Sequence, residues 1–415
     1  MIYRAVTILF FLLLSICLKA QYDYRSDDNH RFQLNTEGQY YLTSNALSGG
    51  FTGSYLYGKQ IDNQRISKEI ERITGKVRIG GELSFQLQAS WFPDTVKQSG
   101  WLLHLSENSF LGSSLSPDFM RFILKGNKQF EGDTAIFDGS KLRAMRFQSF
   151  MPGYFKQWEN KGYNFSAGLM AGVTIGSFLH EAEIKNAYLY TADYGEFIDA
   201  ELNFRSKTTD TLSTGLFPIN GTGASLSFFL KISEPKKHSI ALFVENAGII
   251  WWEKEMFTIN KDTSLHFSGL KVENIMKIDS AFAGNILNDS VWKSYMNTAS
   301  KMERRSFLPM QVSLMYDRQI SRKIYLSTVL AYRMHIHKLP QLNIMASWSF
   351  GNIVPAVIIQ AGGYGKIHAG AEIKLSTANL KHRIKLGTAF LDSHFFQNKS
   401  GGQGFYIGYA YNIKR

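Results

Sequence analysis

The feature that most constrains this chain is a strict two-residue alternation running from Val77 to Trp91. Its odd positions read Val77, Ile79, Gly81, Leu83, Phe85, Leu87, Ala89 and Trp91, and its even positions read Arg78, Gly80, Glu82, Ser84, Gln86, Gln88 and Ser90. Period two is the repeat of an extended strand, whose successive side chains point to opposite faces. At a rise of about 3.3 Å per residue the run spans roughly 50 Å, well beyond the usual globular strand. One long face is apolar and the other polar. The pattern returns after the turn signal Glu159-Asn160-Lys161-Gly162, with Tyr163, Phe165, Ala167, Leu169, Ala171, Val173 and Ile175 on one side.

Shorter alternating runs follow the same rule. They cover residues 51–57, 224–230, 240–244, 310–316, 324–332, 342–348, 367–375, 384–390 and 405–413. Short polar connections such as residues 233–237 and 317–322 join several of them as an antiparallel meander would. Only 8 prolines occur, and the 14% of aromatic residues is rich in strand formers, so composition supports long uninterrupted pairing.

A soluble β-sandwich also alternates, around a dry interior. Strand length, tryptophans gathered near strand ends and a last strand reaching almost to the C-terminus favour another member of the all-β class, an antiparallel transmembrane β-barrel. Hydrocarbon offers no partner to a free backbone group, so a sheet that spans it must close on itself. At about 9–11 residues per tilted strand, roughly 14 strands are expected. Trp91, Trp101, Trp158, Trp251, Trp252 and Trp348 are assigned to the membrane-interface belts of such a barrel.

Between strands lie pieces of another kind. Ile66, Ile70 and Ile73 recur at helical spacing within residues 63–74, and Ser116-Pro117-Asp118 opens a short helix that Gly126 stops. These are expected as loop or plug helices. Residues 272–307 lack period two and read as a long loop or lumen insert.

Arg4, an apolar core from Val6 to Leu18, and Ala20 before Gln21 have the layout of a cleaved signal peptide, residues 1–20, leaving residues 21–415 as a single barrel domain. The rival lipoprotein reading, with Cys17 lipidated, needs a small residue where Ile16 stands. Cys17 is the only cysteine, so the exported chain carries no thiol chemistry. Without Arg4 and Lys19 the chain keeps 44 basic against 34 acidic residues, a net charge of +10. That balance suits outer-membrane lipid and lipopolysaccharide phosphates; nucleic acid is not expected as a partner of an exported chain.

The polar face of the first run supplies Glu82, Gln86 and Gln88. If the strand of Tyr332 continues through the His-x-His step, Arg333, His335 and His337 share a face as well. These six are the candidate lumen-facing residues. Two histidines without a cysteine or a placed carboxylate make half a metal site, so neither metal nor cofactor is expected. Trp251 and Trp252 point opposite ways in a strand and cannot form one stacking platform. His104, His180 beside Glu181, and His238 beside Ser239 lack any Gly-x-Ser-x-Gly element, so no catalytic residue is assigned. An outer-membrane hydrolase stays a remote alternative.

The segments KVRIGGELSFQLQASWF (76–92), EGDTAIFDGSKLRAM (131–145), ALFVENAGIIWWEKE (241–255) and GGQGFYIGYAYNIKR (401–415) resemble a family of Bacteroidota outer-membrane β-barrels. That family is a domain of unknown function, related in layout to long-chain fatty-acid transporter-like barrels. One departure is the lack of proline in residues 35–45, where related proteins often carry an Asn-Pro-Ala-like element. The resemblance implies an outer-membrane location and a porin-like lumen that binds or passes a small solute, of hydrophobic character in the wider group. It also leaves a different class open, a non-transporting anchor or scaffold partner of surface or secretion machinery.

Overall fold

The computed structural model describes residues 30–56, 58–94, 99–209, 218–235, 237–252, 256–267, 300–301, 305–337, 339–396 and 401–414. The signal-peptide expectation and most of the 272–307 insert lie outside the described residues.

In chain order the elements are β1 (His30–Ser44), α1 (Gly49–Leu56), α2 (Asn63–Glu71), β2 (Val77–Asp94), β3 (Ser99–Leu115), α3 (Pro117–Lys125), β4 (Asp133–Ile136), β5 (Lys141–Asn160), β6 (Tyr163–Thr191) and β7 (Ile198–Thr209). There follow β8 (Gly221–Glu234), β9 (His238–Trp252), β10 (Met256–Phe267), β11 (Ser300–Lys301), β12 (Arg305–Phe307), β13 (Gln311–Gln319), β14 (Ile324–Arg333) and β15 (Gln341–Trp348). The chain ends with β16 (Ile353–Gly362), β17 (His368–Ser376), β18 (His382–Thr388), α4 (Leu391–Phe395) and β19 (Gly402–Lys414).

Fourteen of the described strands close into one antiparallel ring: β1, β2, β3, β5, β6, β8, β9 and then β13 through β19 in order. Closure is direct. β1 places Tyr41 opposite Glu82 of β2 and Tyr40 opposite Phe405 of β19, so the ring has no free edge. The strand ends His30 and Lys414 meet at one rim, where the connections are tight turns such as residues 161–162 and 320–323. The other rim carries α1 to α4 and the longer connections among the described residues.

At that second rim the sheet continues past the barrel. β6 is 29 residues long: Tyr163–Thr191 pairs first with β8 up to Gly176, then with β7 from His180 onward. β7 pairs with β10, and β4 with the tip of β6, giving an extension beyond the ring.

The pleat sorts the side chains. On β2, Glu82, Ser84, Gln88 and Ser90 are buried, while Phe85 is 41% and Trp91 48% exposed. The outward face elsewhere exposes Phe150, Leu169, Val173, Leu314, Leu330, Val357 and Ile359, a band that runs around the ring. The interior is not uniformly polar. Leu102, Met151, Phe155, Met170, Phe229 and Phe243 pack together on one side of the lumen, and Phe110, Met145, Phe147, Leu179, Ile250 and Trp252 pack toward the long-connection rim.

α2 and α3 form within the two segments expected to be helical, and each start is capped. Asp62 accepts from Arg65 N at 2.7 Å, Ser116 accepts from Phe119 N at 3.2 Å, and Gly126 ends α3 at φ 74°. Of residues 51–57, read as a strand, the described residues 51–56 belong instead to α1. Its start is fixed by Ser48, whose hydroxyl accepts from Phe51 N at 3.1 Å. Ser48 is in turn held by the buried Glu69 carboxylate, through Ser48 N at 2.8 Å and its hydroxyl at 2.6 Å. A capped turn anchored by a long-range carboxylate outweighs a weak local alternation.

Candidate functional site

The site is built where strand ends of β1, β2, β13 and β14 meet two loops, residues 334–340 and 363–367, at the long-connection rim. Arg333, the last residue of β14, places Nη1 3.1 Å from Glu82 Oε2, and both side chains are only 2% exposed. Glu82 also accepts from the Tyr41 hydroxyl at 3.2 Å and the Ser84 hydroxyl at 3.2 Å. On its other side, Arg333 donates from Nε to Gln311 Oε1 at 3.0 Å and also from Nη2 to the same oxygen. Gln311 Nε2 donates to Glu245 at 3.2 Å. The guanidinium lies 4.0 Å from the centroid of the Phe110 ring. A buried charge is tolerated when it is paired and hydrogen-bonded, and both conditions hold here.

The two loops complete a roof over the lumen. Ile336 and Tyr364 join the apolar cluster around Phe147, the Tyr364 hydroxyl donates to Leu111 O at 2.9 Å, and His337 meets the Tyr364 ring edge-on at 5.7 Å. Lys366, two residues beyond Tyr364, is held below the ordinary lysine range, chiefly by burial and next by Arg72, with Glu69 opposing.

Beneath the roof the lumen holds a partly open cavity of about 200 Å³. Phe243, Met315, Val329, Met345 and Ile358 give it an apolar wall, while Gln39, Glu245, Asn343, Gln360, Glu372 and Lys385 supply polar groups. Lys385 donates to Glu37 at 3.2 Å, and Lys374 lies 3.3 Å from Glu372, so these charges are matched within the wall. The combination of apolar lining and a few polar groups is that of a small-molecule site.

Of the six residues expected in the lumen, Glu82, Gln88, Arg333 and His337 are buried in the barrel and Gln86 is half-buried on the same face of β2. Glu82, Arg333 and His337 come together at the roof. His335 does not join them. β14 stops at Arg333 and residues 334–336 turn, with His335 at φ 64° and exposed while Ile336 is packed inside. The turn replaces the strand parity on which a shared His335–His337 face depended.

Of the tryptophans, Trp91, Trp101, Trp158 and Trp251 are exposed and Trp348 is half-exposed. Trp252 is a correction: it is 1% exposed, inside the barrel, and its Nε1 donates to Ser306 at 3.0 Å. The cause is an irregularity in β9. Ala241 and Phe243 face inward at odd positions, but Asn246 adopts φ 57° where the register with β8 shifts, and beyond it Ile250 and Trp252 face inward at even positions. An extra residue in one strand flips every later side chain.

Tyr41, Glu245, Gln311, Tyr364 and Lys385 were not singled out from sequence. Gln311 heads an alternating run and was the most findable of them. A second polar chain joins Thr43, His368 and Asp392, with Thr43 Oγ1 3.4 Å from His368 Nε2 and Asp392 3.3 Å from Nδ1. Thr43 donates its hydroxyl proton to Gly401 O at 3.1 Å, and His368 packs on Phe390, so the chain pins α4 to β1 and β17. Among the described residues no group of three His, Cys, Asp or Glu side chains is placed to hold a metal ion.

A profile described as a family of unknown function, DUF5723, matches residues 41–381. No curated protein sequence matches. Among solved structures the chain is similar to a deletion mutant of TodX, a monoaromatic hydrocarbon channel, at 8% identity and TM-score 0.45, covering 97% of this chain and 96% of that one. It is also similar to the Pseudomonas putida toluene transporter TodX, at 9% identity and TM-score 0.43, covering 96% and 94%. A Pseudomonas aeruginosa FadL homologue aligns at 9% identity and TM-score 0.40, covering 93% and 91%.

Proposed function

We propose, from the premise that the chain belongs to the family of unknown function DUF5723, that it is an outer-membrane β-barrel whose lumen binds a small hydrophobic solute and passes it when the roof opens. The outward apolar band supports the membrane assignment: Leu169, Val173 and Val357 are each more than half exposed or close to it, on a ring with no edge, a surface that water penalises and hydrocarbon does not. Short turns at one rim and long connections at the other support a periplasmic first rim and an extracellular second rim.

The observation that carries the functional reading is the cavity lined by Glu82 inside the barrel, beside the Glu82–Arg333 pair. A cavity with more apolar than polar wall inside a barrel is of use to a molecule that water carries poorly. The test is saturable binding of a small aromatic fluorophore to the purified protein in lipid nanodiscs. Filling the chamber with Ser327→Trp is expected to remove the saturable component, and a signal that Ser327→Trp leaves unchanged counts against the lumen as the site.

One observation favours the scaffold reading instead. The extension of β4, β6, β7 and β10 leaves Ile136, Tyr188, Leu265 and Phe267 exposed beyond the barrel. Such a face fits a partner at the cell surface. Recovery of one stoichiometric surface partner, lost on Leu265→Asp with solute binding intact, is the result that reading requires.

A further inference from the structure

Among the described residues the inner wall of the barrel carries two carboxylates, Glu245 and Asp317, that no cationic side chain pairs with. Glu82 is matched by Arg333, Glu37 by Lys385 and Glu372 by Lys374. Among the described residues, Glu245 is held by the neutral Gln311 amide alone, at 3.2 Å, and Asp317 by two hydroxyls alone, Ser327 at 2.6 Å and Ser239 at 3.2 Å. Both face inward from the same wall. Gln311 and Glu245 are register partners across β13 and β9, as are Asp317 and Ser239, six residues further along. At about 3.3 Å per residue that separates the two carboxylates by roughly 20 Å along the strand. Between them the inward positions are Met315, Phe243, Ala241, Val329 and Ala331, with Ser313 the one polar residue on that stretch of β13.

We infer that the solute of this lumen is a hydrophobic organic cation, an apolar body with one ammonium head, bound by Glu245 in the cavity and passed along the apolar step to Asp317. This rests on the reading of the lumen as a solute site and names the solute class. A carboxylate in a low-dielectric wall attracts a cation strongly and repels an anion, and its pairing with an ammonium offsets the cost of taking that ammonium out of water. The amide of Gln311 and the hydroxyls of Ser239 and Ser327 orient each carboxylate without cancelling its charge. A neutral solute gains only the apolar contacts.

The experiment is calorimetric titration of the full barrel in nanodiscs with three probes that share one ring: 2-phenylethylammonium, 2-phenylethanol and phenylacetate. The ammonium is expected to bind about tenfold tighter than the alcohol, the gain typical of a charge-assisted hydrogen bond, and the carboxylate weakest. Glu245→Gln, close in shape to the native residue, is expected to bring ammonium and alcohol together while leaving the alcohol unchanged. Asp317→Asn is expected to keep the binding preference and slow ammonium efflux from loaded vesicles. Equal binding of the three probes, or a cation preference that survives Glu245→Gln, overturns the inference but leaves the lumen as a solute site. Failure of all three to bind overturns both.

Discussion

Tyr364 occupies the space where Gly80 has no side chain: a Cβ built on Gly80 lies 1.6 Å from Cζ of the ring. Gly80 is the register partner of Gly112 on β3, where a Cβ lies 2.6 Å from Ile336 O. Two glycines side by side on the inner wall therefore make the seat on which both roof loops rest. The close approach of backbone, ring and carbonyl is possible only without side chains there.

Gly80→Ala consequently displaces Tyr364. The expected cost is about 1–3 kcal/mol, the range for inserting a methyl group into a packed interior. Leakage of small solutes from proteoliposomes is expected to rise. A variant that leaks no more than the parent contradicts the role of Tyr364 in closing the lumen.

The Glu82–Arg333 pair predicts strong non-additivity. Arg333→Met leaves Glu82 buried without its cation and is expected to destabilise by about 3–5 kcal/mol, whereas Glu82→Leu combined with Arg333→Met is expected to cost much less than the two single changes together. Urea unfolding in lipid vesicles measures each corner of the cycle. Purely additive costs mean that the two groups do not act as a pair.

Facing can be tested on β2. Phe85→Arg, on the exposed apolar side, is expected to destabilise the inserted barrel by about 2–4 kcal/mol near the bilayer midplane. Ser84→Ala, one residue away, removes a hydroxyl that donates to Glu82 and is expected to cost about 1 kcal/mol. Equal losses in folding titrations would reverse the assignment of the two faces.

Ser116 ties α3 to the wall twice, accepting from Phe119 N at 3.2 Å and donating to Ile136 O at 2.8 Å. Ser116→Ala is expected to cost about 1 kcal/mol and to speed amide exchange in α3 and β4 while that of β2 and β3 stays unchanged. Uniform acceleration across the barrel would show that the cap is not a local device.

What the sequence determined by itself was everything set between near neighbours. The pleat forces successive side chains apart, so the two faces of β2 and of the first half of β6 were legible from alternation, the helix within 63–74 from its isoleucine spacing, and the helix after Ser116 from its start and stop residues. The strand number followed from chain length against bilayer thickness. The reading failed where one residue changed the backbone: past Asn246 Trp252 turns inward, out of the interface belt assigned to both tryptophans, and the turn after Arg333 separated His335 from His337. Asn and His adopt a positive φ more readily than most non-glycine residues, and neither residue type announces it in the hydrophobic pattern. The site itself depended on closure. Glu82 meets Arg333, and Gly80 meets Tyr364, only because strands distant in sequence come to face each other across the lumen once Tyr40 pairs with Phe405. Ring closure is a property of all fourteen strands at once, and no local stretch of residues encodes which side chains it brings together.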